Sequence, residues 1–391
     1  MTPSARVQAA IEILDEVIAS AIGDGPPAET IVQRYFKTRR YAGSKDRRAV
    51  RELVYRAIRR SGERPDSGRS AMLGVADEDE ELSALFDGSA HGPAQRGVET
   101  GAPAALLPSW IEPELSELVT SDEWPALLER APLDLRINVA RTDRETMAGQ
   151  FEGAEPTRLS PWGLRLPPDT RVDDDPAFAG GLVEVQDEGS QLIALACQPS
   201  DELDMLDLCA GAGGKSLALA AAAPASRIIA SDTNRARLAQ LGPRAERAGA
   251  TIAVRLLDGG REAEQLADLE AQCDVVLVDA PCSGSGTWRR NPEGRWRLTP
   301  ERLDRLVKLQ ERLLDLAAPL VKPGGALVYA TCSILRREGA EQAGNFLGRH
   351  SSWIGQDVPF DGGRADGAGR LLTPAHDATD GFFVARFVRP C

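Results

Sequence analysis

From Met205 onward, short apolar runs alternate with helical stretches, and few folds accept that pattern. The runs are Met205 to Cys209, Arg227 to Ser231, Thr251 to Leu257, Asp274 to Val278, Ala326 to Ala330 and Phe382 to Val388, with helical stretches after the first, second, fourth and fifth. Such alternation predicts an α/β domain with a doubly wound, mostly parallel sheet and right-handed crossovers. The clearest helix is Pro300 to Val321, capped by Thr299 and stopped by Pro323, Gly324 and Gly325. In an open sheet of this kind, ligands and catalytic groups gather at the carboxyl ends of the strands.

Upstream the pattern is different. Val7, Ile11, Leu14, Val17 and Ile18 form a helical stripe within residues 5–22, and Ala49, Leu53, Val54, Ala57 and Ile58 form another within Lys45 to Arg60, with Ser44 as its expected cap. Ser61 to Pro103 is rich in glycine, serine and acids and reads as a loop-like, mobile linker with at most one helix, over Ala71 to Leu85. Pro108 to Val119 and Glu123 to Arg130 read as a helical pair. LDLRINVA from Leu133 reads as a strand, RTDRETMAGQF as a helix opened by Thr142, and RLSPWGLRLP as a hairpin turning near Pro161 to Gly163. The expected domains are therefore an all-helical 1–130 (loop-like over 61–103), a small α+β subdomain 131–180, and the Rossmann-like domain 181–391.

Charge and cysteine usage narrow the class. The net charge of −13 disfavours nucleic acid if taken alone, but Arg34 to Arg64 holds twelve Lys/Arg against Asp46, Glu52 and Glu63, a local +9 that leaves −22 elsewhere. Such a segment suits phosphates; a solvated helix surface is the plain alternative. The six cysteines are scattered without a CxxC pair and the histidines number three, which argues for reduced thiols and against a bound metal. No apolar run of about 18 residues and no basic, then apolar, leader is evident, so a cytoplasmic protein without a membrane partner is expected, by default a monomer.

Three motifs carry chemistry. LDLCAGAGGKS, Leu206 to Ser216, runs from a strand through a glycine turn into a helix, offering free backbone N–H groups. It matches neither GxGxxG nor GxxxxGK[ST], so pyrophosphate is not its natural ligand, whereas a nucleoside such as S-adenosylmethionine suits it. Asp232 and Asp258 close the next two strands, where carboxylates can accept from ribose hydroxyls and an adenine amino group. VVLVDAPCSGSGTWRRNPEGRWR, Val275 to Arg297, and ATCS, Ala330 to Ser333, each deliver a cysteine at a strand end. Cysteine sulfur, activated as thiolate, is suited to reversible addition at carbon 6 of cytosine, which makes carbon 5 nucleophilic. Cys197 and Cys273 read as inert buried thiols.

DLCAGAGGKS, DAPCSGSGTWRRNP, ATCS and DGFFVARF, in this order and preceded by VQDEGSQL, closely resemble the RsmB/NSUN-type RNA (cytosine-5) methyltransferases over roughly Leu133 to Val388. RRYAGSKDRRAVRELVYRAIRR resembles the NusB-like RNA-binding domain of the bacterial RsmB branch. The resemblance implies a class I S-adenosylmethionine-dependent methyltransferase fold with an RRM-like middle subdomain. It also implies formation of 5-methylcytidine in RNA, most naturally 16S rRNA or an assembling small ribosomal subunit. Cys332 would attack carbon 6, Cys282 would promote proton loss and release, and Asp279 would contact the base near N3. Cys209, Ala210, Gly211, Ala212, Gly213, Gly214, Lys215, Asp232, Asp258 and Asp279 would surround S-adenosylmethionine. Arg289 and Arg290 would sit at the RNA entrance, and Arg39, Arg40, Lys45, Arg47 and Arg48 would bind RNA from the helical domain. The glycine loop departs from the usual Ala-Pro-Gly-Gly, with Gly211 and Ala212 preceding Gly213 and Gly214.

Rival readings are transfer RNA as substrate, a DNA cytosine methyltransferase with Cys282 as nucleophile, and a non-catalytic ribosome-assembly protein that has kept the fold. The second strand-end thiol and the basic N-terminal segment favour RNA over DNA.

Overall fold

The computed structural model describes residues 1–23, 25–167 and 170–391. Two compact units emerge. One comprises Met1–Leu115, Ser121–Glu129 and Thr287–Arg302; the other comprises Ser116–Thr120, Arg130–Gly286 and Leu303–Cys391.

The first unit is helical: α1 Pro3–Ile22, α2 Ala28–Lys37, α3 Ser44–Arg60, α4 Gly68–Ala76 and α5 Glu80–Ser83. Its core joins the apolar stripe of α1 to Ile31 and Phe36 of α2, Val54 and Ile58 of α3, and Met72 and Val75 of α4. The expected linker over 61–103 is thus corrected, because α4 packs into this core. Small residues permit the approach: a Cβ on Gly68 would lie 2.2 Å from the Ile11 carbonyl oxygen. The acidic stretch that suggested disorder is held by the basic helix, with Asp79 2.6 Å from Arg56 and Glu78 2.8 Å from Arg60. Ser44 is the first helical residue and not the cap; Asp46 instead accepts from the Gly43 N–H at 3.3 Å. The expected helical pair over 108–130 is reduced to short 3-10 turns at Glu112–Glu114, Ser121–Glu123 and Pro125–Leu127.

The second unit opens with a four-stranded antiparallel sheet, order β2-β3-β1-β4, made of β1 Leu133–Ile137, β2 Glu155–Pro156, β3 Gly163–Leu166 and β4 Val183–Val185. Its fourth strand lies beyond the expected boundary at 180. Arg165 grips buried Asp134 through two bonds of 2.7 and 2.9 Å, tying β3 to β1. The helix Arg144–Ala148 is capped by Asp143, whose side chain accepts from the Thr146 N–H, and not by Thr142.

The larger sheet has nine strands: β5 Asp204–Asp207, β6 Arg227–Asp232, β7 Ala253–Leu256, β8 Cys273–Asp279, β9 Val321–Thr331, β10 Ile354–Gln356, β11 Arg364–Asp366, β12 Gly369–Leu372 and β13 Phe382–Val388. The path runs β11-β12-β13-β9-β8-β5-β6-β7, with β10 paired to β13. β9, β8, β5, β6 and β7 are parallel and β13 is antiparallel to β9. The long helix stops earlier than expected, at Ala317, followed by Pro319, and β9 already begins at Val321 and passes through Pro323 and Gly324. From β5 the chain builds outward through β6 and β7, then returns to place β8 on the other flank of β5. That reversal is a topological switch point, where a crevice opens at the carboxyl ends of β5 and β8.

Candidate active site

The glycine turn leaves β5 at this crevice. Gly211 and Gly213 have φ of +56° and +81°, values that L side chains rarely adopt, so the chain folds back tightly and the helix Gly214–Ala222 starts at once. Arginines hold the carbonyls of the turn: Arg244 donates to Ala212 O at 2.6 Å and Arg136 to Gly214 O at 2.7 Å. Asp232, at the end of β6, accepts from the Gly211 N–H at 2.8 Å and from the Asn234 N–H at 2.7 Å. Asp258 lies just beyond β7, exposed, and accepts from Gln265 Nε2 at 3.0 Å. Cys209 is half-buried, and burial together with the nearby Asp207 carboxylate pushes its thiol well up.

Lys215 lies in the first turn of the helix that follows the glycine turn. Its ammonium is 2.6 Å from Asp279 Oδ2, so the helix after the glycine turn is joined to the end of β8 by an ion pair. Asp207, the last residue of β5, was not singled out as a site residue. Its Oδ2 accepts from Ser216 Oγ at 2.6 Å, and its buried Oδ1 has no partner. An acid inside the otherwise apolar Met205 to Leu208 was the signal that could have found it.

β8 and β9 bring the two thiols together: Cys282 Sγ and Cys332 Sγ are 3.3 Å apart, both half-buried. Backbone bonds fix the approach. The Gly286 N–H donates to Cys332 O at 3.0 Å, and the Gly381 N–H donates to Gly286 O at 2.8 Å. A Cβ on Gly286 would lie 1.9 Å from Gly381 O, so only glycine fits there. The hydrogen bond to the Cys332 sulfur pushes the Cys282 thiol well up, and burial and the Glu338 carboxylate push in the same direction.

The arginines of the Pro-Cys motif belong to the helical unit. Arg289 is buried and Arg290 half-buried. Their neighbours are equally embedded: Arg295 donates to Ile58 O at 2.6 Å, and Trp296 Nε1 donates to Ser61 O at 2.8 Å. Of the expected RNA-binding residues, Arg40, Arg47 and Arg48 line one groove of about 600 Å³ together with Lys37, Arg51 and Phe36. Arg39 is not among them, because its guanidinium stacks 3.6 Å over the Tyr35 ring and pairs with Glu12 at 3.4 Å. Lys45 is exposed outside that groove.

Among the described residues, no group of three or more His, Cys, Asp or Glu side chains is arranged to hold a metal ion, and no helix is long and apolar enough to cross a membrane.

Comparison with known proteins gives the context. Ribosomal RNA small subunit methyltransferase B of Salmonella arizonae is 34% identical over 292 residues, covering 73% of this chain and 66% of that protein. The match thus spans just under two thirds of that relative's length. Among solved structures, the crystal structure of PH0851 superposes with a TM-score of 0.77 at 23% identity over 99% of each chain. A methyltransferase homolog protein from Pyrococcus horikoshii superposes with a TM-score of 0.60 at 25% identity, over 71% of this chain and 92% of that one. Both likenesses agree with the Rossmann-like sheet described above. Residues 193–388, which carry the glycine turn, both thiols and the whole of β5 to β13, match the family described as 16S rRNA methyltransferase RsmB/F, and the chain belongs to that family.

Proposed function

We propose that this chain is an S-adenosylmethionine-dependent RNA (cytosine-5) methyltransferase acting on 16S rRNA, alone or in an assembling small subunit. The observation that carries the reading is the pair of sulfurs 3.3 Å apart at the ends of neighbouring strands, on the carboxyl edge that also bears the glycine turn and the Lys215–Asp279 pair. Two thiols this close, at a switch point and not in a disulfide, suit a reaction that needs one sulfur to add and a second group to assist its departure.

The residues present fit the cofactor chemically. The glycine turn presents backbone donors at a helix N-terminus, and Asp232 and Asp258, at or just beyond the ends of neighbouring strands, carry carboxylates able to accept from ribose hydroxyls and an adenine amino group. S-adenosylmethionine, when bound, supplies an electrophilic methyl group. Cys332 Sγ, as thiolate, would form a bond to carbon 6 of the target cytosine, moving electron density to carbon 5 and toward N3. Asp279, in its protonated form, would donate a hydrogen bond to N3 as that charge builds, and Lys215 would stabilise the carboxylate left when the proton passes to N3. After carbon 5 has taken the methyl group, Cys282 in its thiolate form would accept the proton from carbon 5, the electrons of that bond would form the carbon 5–carbon 6 double bond, and the sulfur–carbon 6 bond would break to return Cys332 as thiolate. The second strand-end thiol, Cys332, has no part in the DNA-methyltransferase reading, which counts against that reading.

The test is methyl transfer from labelled S-adenosylmethionine to 16S rRNA, transfer RNA and DNA by wild type, Cys332→Ala and Cys282→Ala, each probed for covalent nucleic-acid adduct. The proposal expects transfer to cytidine of 16S rRNA, an inactive and adduct-free Cys332→Ala, and trapped RNA on Cys282→Ala. Undiminished transfer by Cys332→Ala, or label on DNA alone, would sink the assignment. No transfer to any nucleic acid would leave a non-catalytic ribosome-assembly role.

A further inference from the structure

Behind the two sulfurs lies a buried carboxylate with no place in the reaction as described above. Glu338 is fully buried. Its Oε1 accepts from the Ser283 N–H at 2.8 Å and from Gln310 Nε2 at 2.9 Å, and its Oε2 accepts from Ser333 Oγ at 2.7 Å. Ser283 follows Cys282 and Ser333 follows Cys332, so one side chain holds the residue after each thiol. Gln310 extends the grip by donating to Pro281 O, just before Cys282, at 2.9 Å. The Glu338 backbone carbonyl takes the Tyr329 hydroxyl at 2.8 Å and the Thr331 hydroxyl at 3.2 Å, both from the end of β9. The hydroxyls of Ser283, Ser285 and Ser333 stand 3.0–3.3 Å from one another and accept from the N–H groups of Ser285, Ile334 and Leu335.

Taking a carboxylate out of water costs several kcal/mol, so such a group persists where surrounding donors are fixed to receive it. Here the donors are the flanks of both cysteines, and the carboxylate therefore dictates their spacing. We propose that Glu338 is the positioning residue of the two-thiol site, clamping the chain after Cys282 and after Cys332 so that the sulfurs face one substrate atom. The inference rests on the two-thiol reading above. Its charge has a second effect, because a fixed anion behind Cys282 disfavours a thiolate there, in the direction found for that thiol.

The test uses the full chain with Glu338→Gln and Glu338→Ala. Glutamine keeps the shape and one acceptor oxygen but removes the charge; alanine removes both. Iodoacetamide alkylation of Cys282, followed peptide by peptide from neutral to alkaline pH, needs no RNA. Removing the charge should move the Cys282 alkylation midpoint to lower pH in Glu338→Gln. Glu338→Ala should lower kcat for methyl transfer by about 100-fold with KM for S-adenosylmethionine unchanged, the scale expected when reacting groups are misplaced by about 1 Å. If Glu338→Ala does not fold, Ser333→Ala, which removes one donor and leaves the charge, should lower kcat without moving the Cys282 profile toward lower pH. Wild-type kcat in Glu338→Ala, or in Ser333→Ala where Glu338→Ala does not fold, together with a Cys282 profile in Glu338→Gln that coincides with wild type, overturns the proposal. A wild type that methylates no RNA defeats the proposed function, while the alkylation profile still decides the part played by Glu338.

Discussion

Lys215 Nζ lies 2.6 Å from Asp279 Oδ2, so the helix that begins at the glycine turn and the strand that leads to Cys282 are coupled across the switch point. Burial pulls the Lys215 pKa down, but the Asp279 charge and its hydrogen bond outweigh burial, and the net shift is upward. A cation with a raised pKa contributes stability below its unfolded value and loses it as pH climbs through the folded one. Lys215→Met should therefore cost about 1.5–3 kcal/mol at neutral pH, the range for a charged hydrogen bond. The gap to wild type should close only in strongly alkaline solution, as read by urea unfolding.

Asp207 gives a slope of the same sign in a far more acidic window. Burial raises its carboxyl from 3.8 to about 7, only partly offset by the Ser216 hydroxyl. Between these values the folded state holds a proton that the unfolded chain has released, so stability falls as pH rises through that window and then levels. Asp207→Asn, which cannot ionise, should gain stability relative to wild type on going from acidic to mildly alkaline buffer. Parallel pH-dependent curves for the two proteins would refute this.

The sulfurs of Cys282 and Cys332 need close by little more than 1 Å to reach a disulfide bond of about 2.05 Å. A diazene oxidant such as diamide, taking two electrons and two protons from the pair, should form this bond and abolish methyl transfer until dithiothreitol restores it. Because the Cys282 thiol is raised, the reaction should quicken with pH. Peptide mapping that finds the two thiols free after inactivation would contradict the prediction.

The basic groove of the helical unit can be tested by salt. Replacing Arg40 and Arg48, both exposed and lining it, by alanine should weaken binding of single-stranded RNA of any sequence. Each lost phosphate contact should lower the slope of log K against log salt by about 0.7. Arg39→Ala serves as the contrast: its guanidinium is engaged with Tyr35 and Glu12, so it should leave that slope unchanged while lowering thermal stability.

What could be read along the chain was whatever its local pattern dictates. The apolar runs that became β5, β6, β8 and β13 announce themselves because a strand buried on both faces must be apolar throughout. The glycine turn, Asp279, Cys282 and Cys332 follow directly, since strand ends are marked in sequence and an α/β sheet puts them on one edge. Other features answer to neighbours far away in the chain. The stretch with Met72 and Val75 looked loose because its acids and glycines were weighed without the arginines of α3 that pair with those acids. Thr287–Arg302, which carries the second half of the Val275 to Arg297 motif, joins the helical unit because Trp296 packs into that unit's core and Arg295 finds its carbonyl partners there. Glu338, in the charged run RREGAEQ, drew no reading from the sequence, yet it is fully buried where donors from Ser283, Gln310 and Ser333 converge on it. Periodicity and turn chemistry are local and survive in a one-dimensional reading. The burial of a charge is set by the groups that packing brings to it, and those came from residues up to 55 positions away.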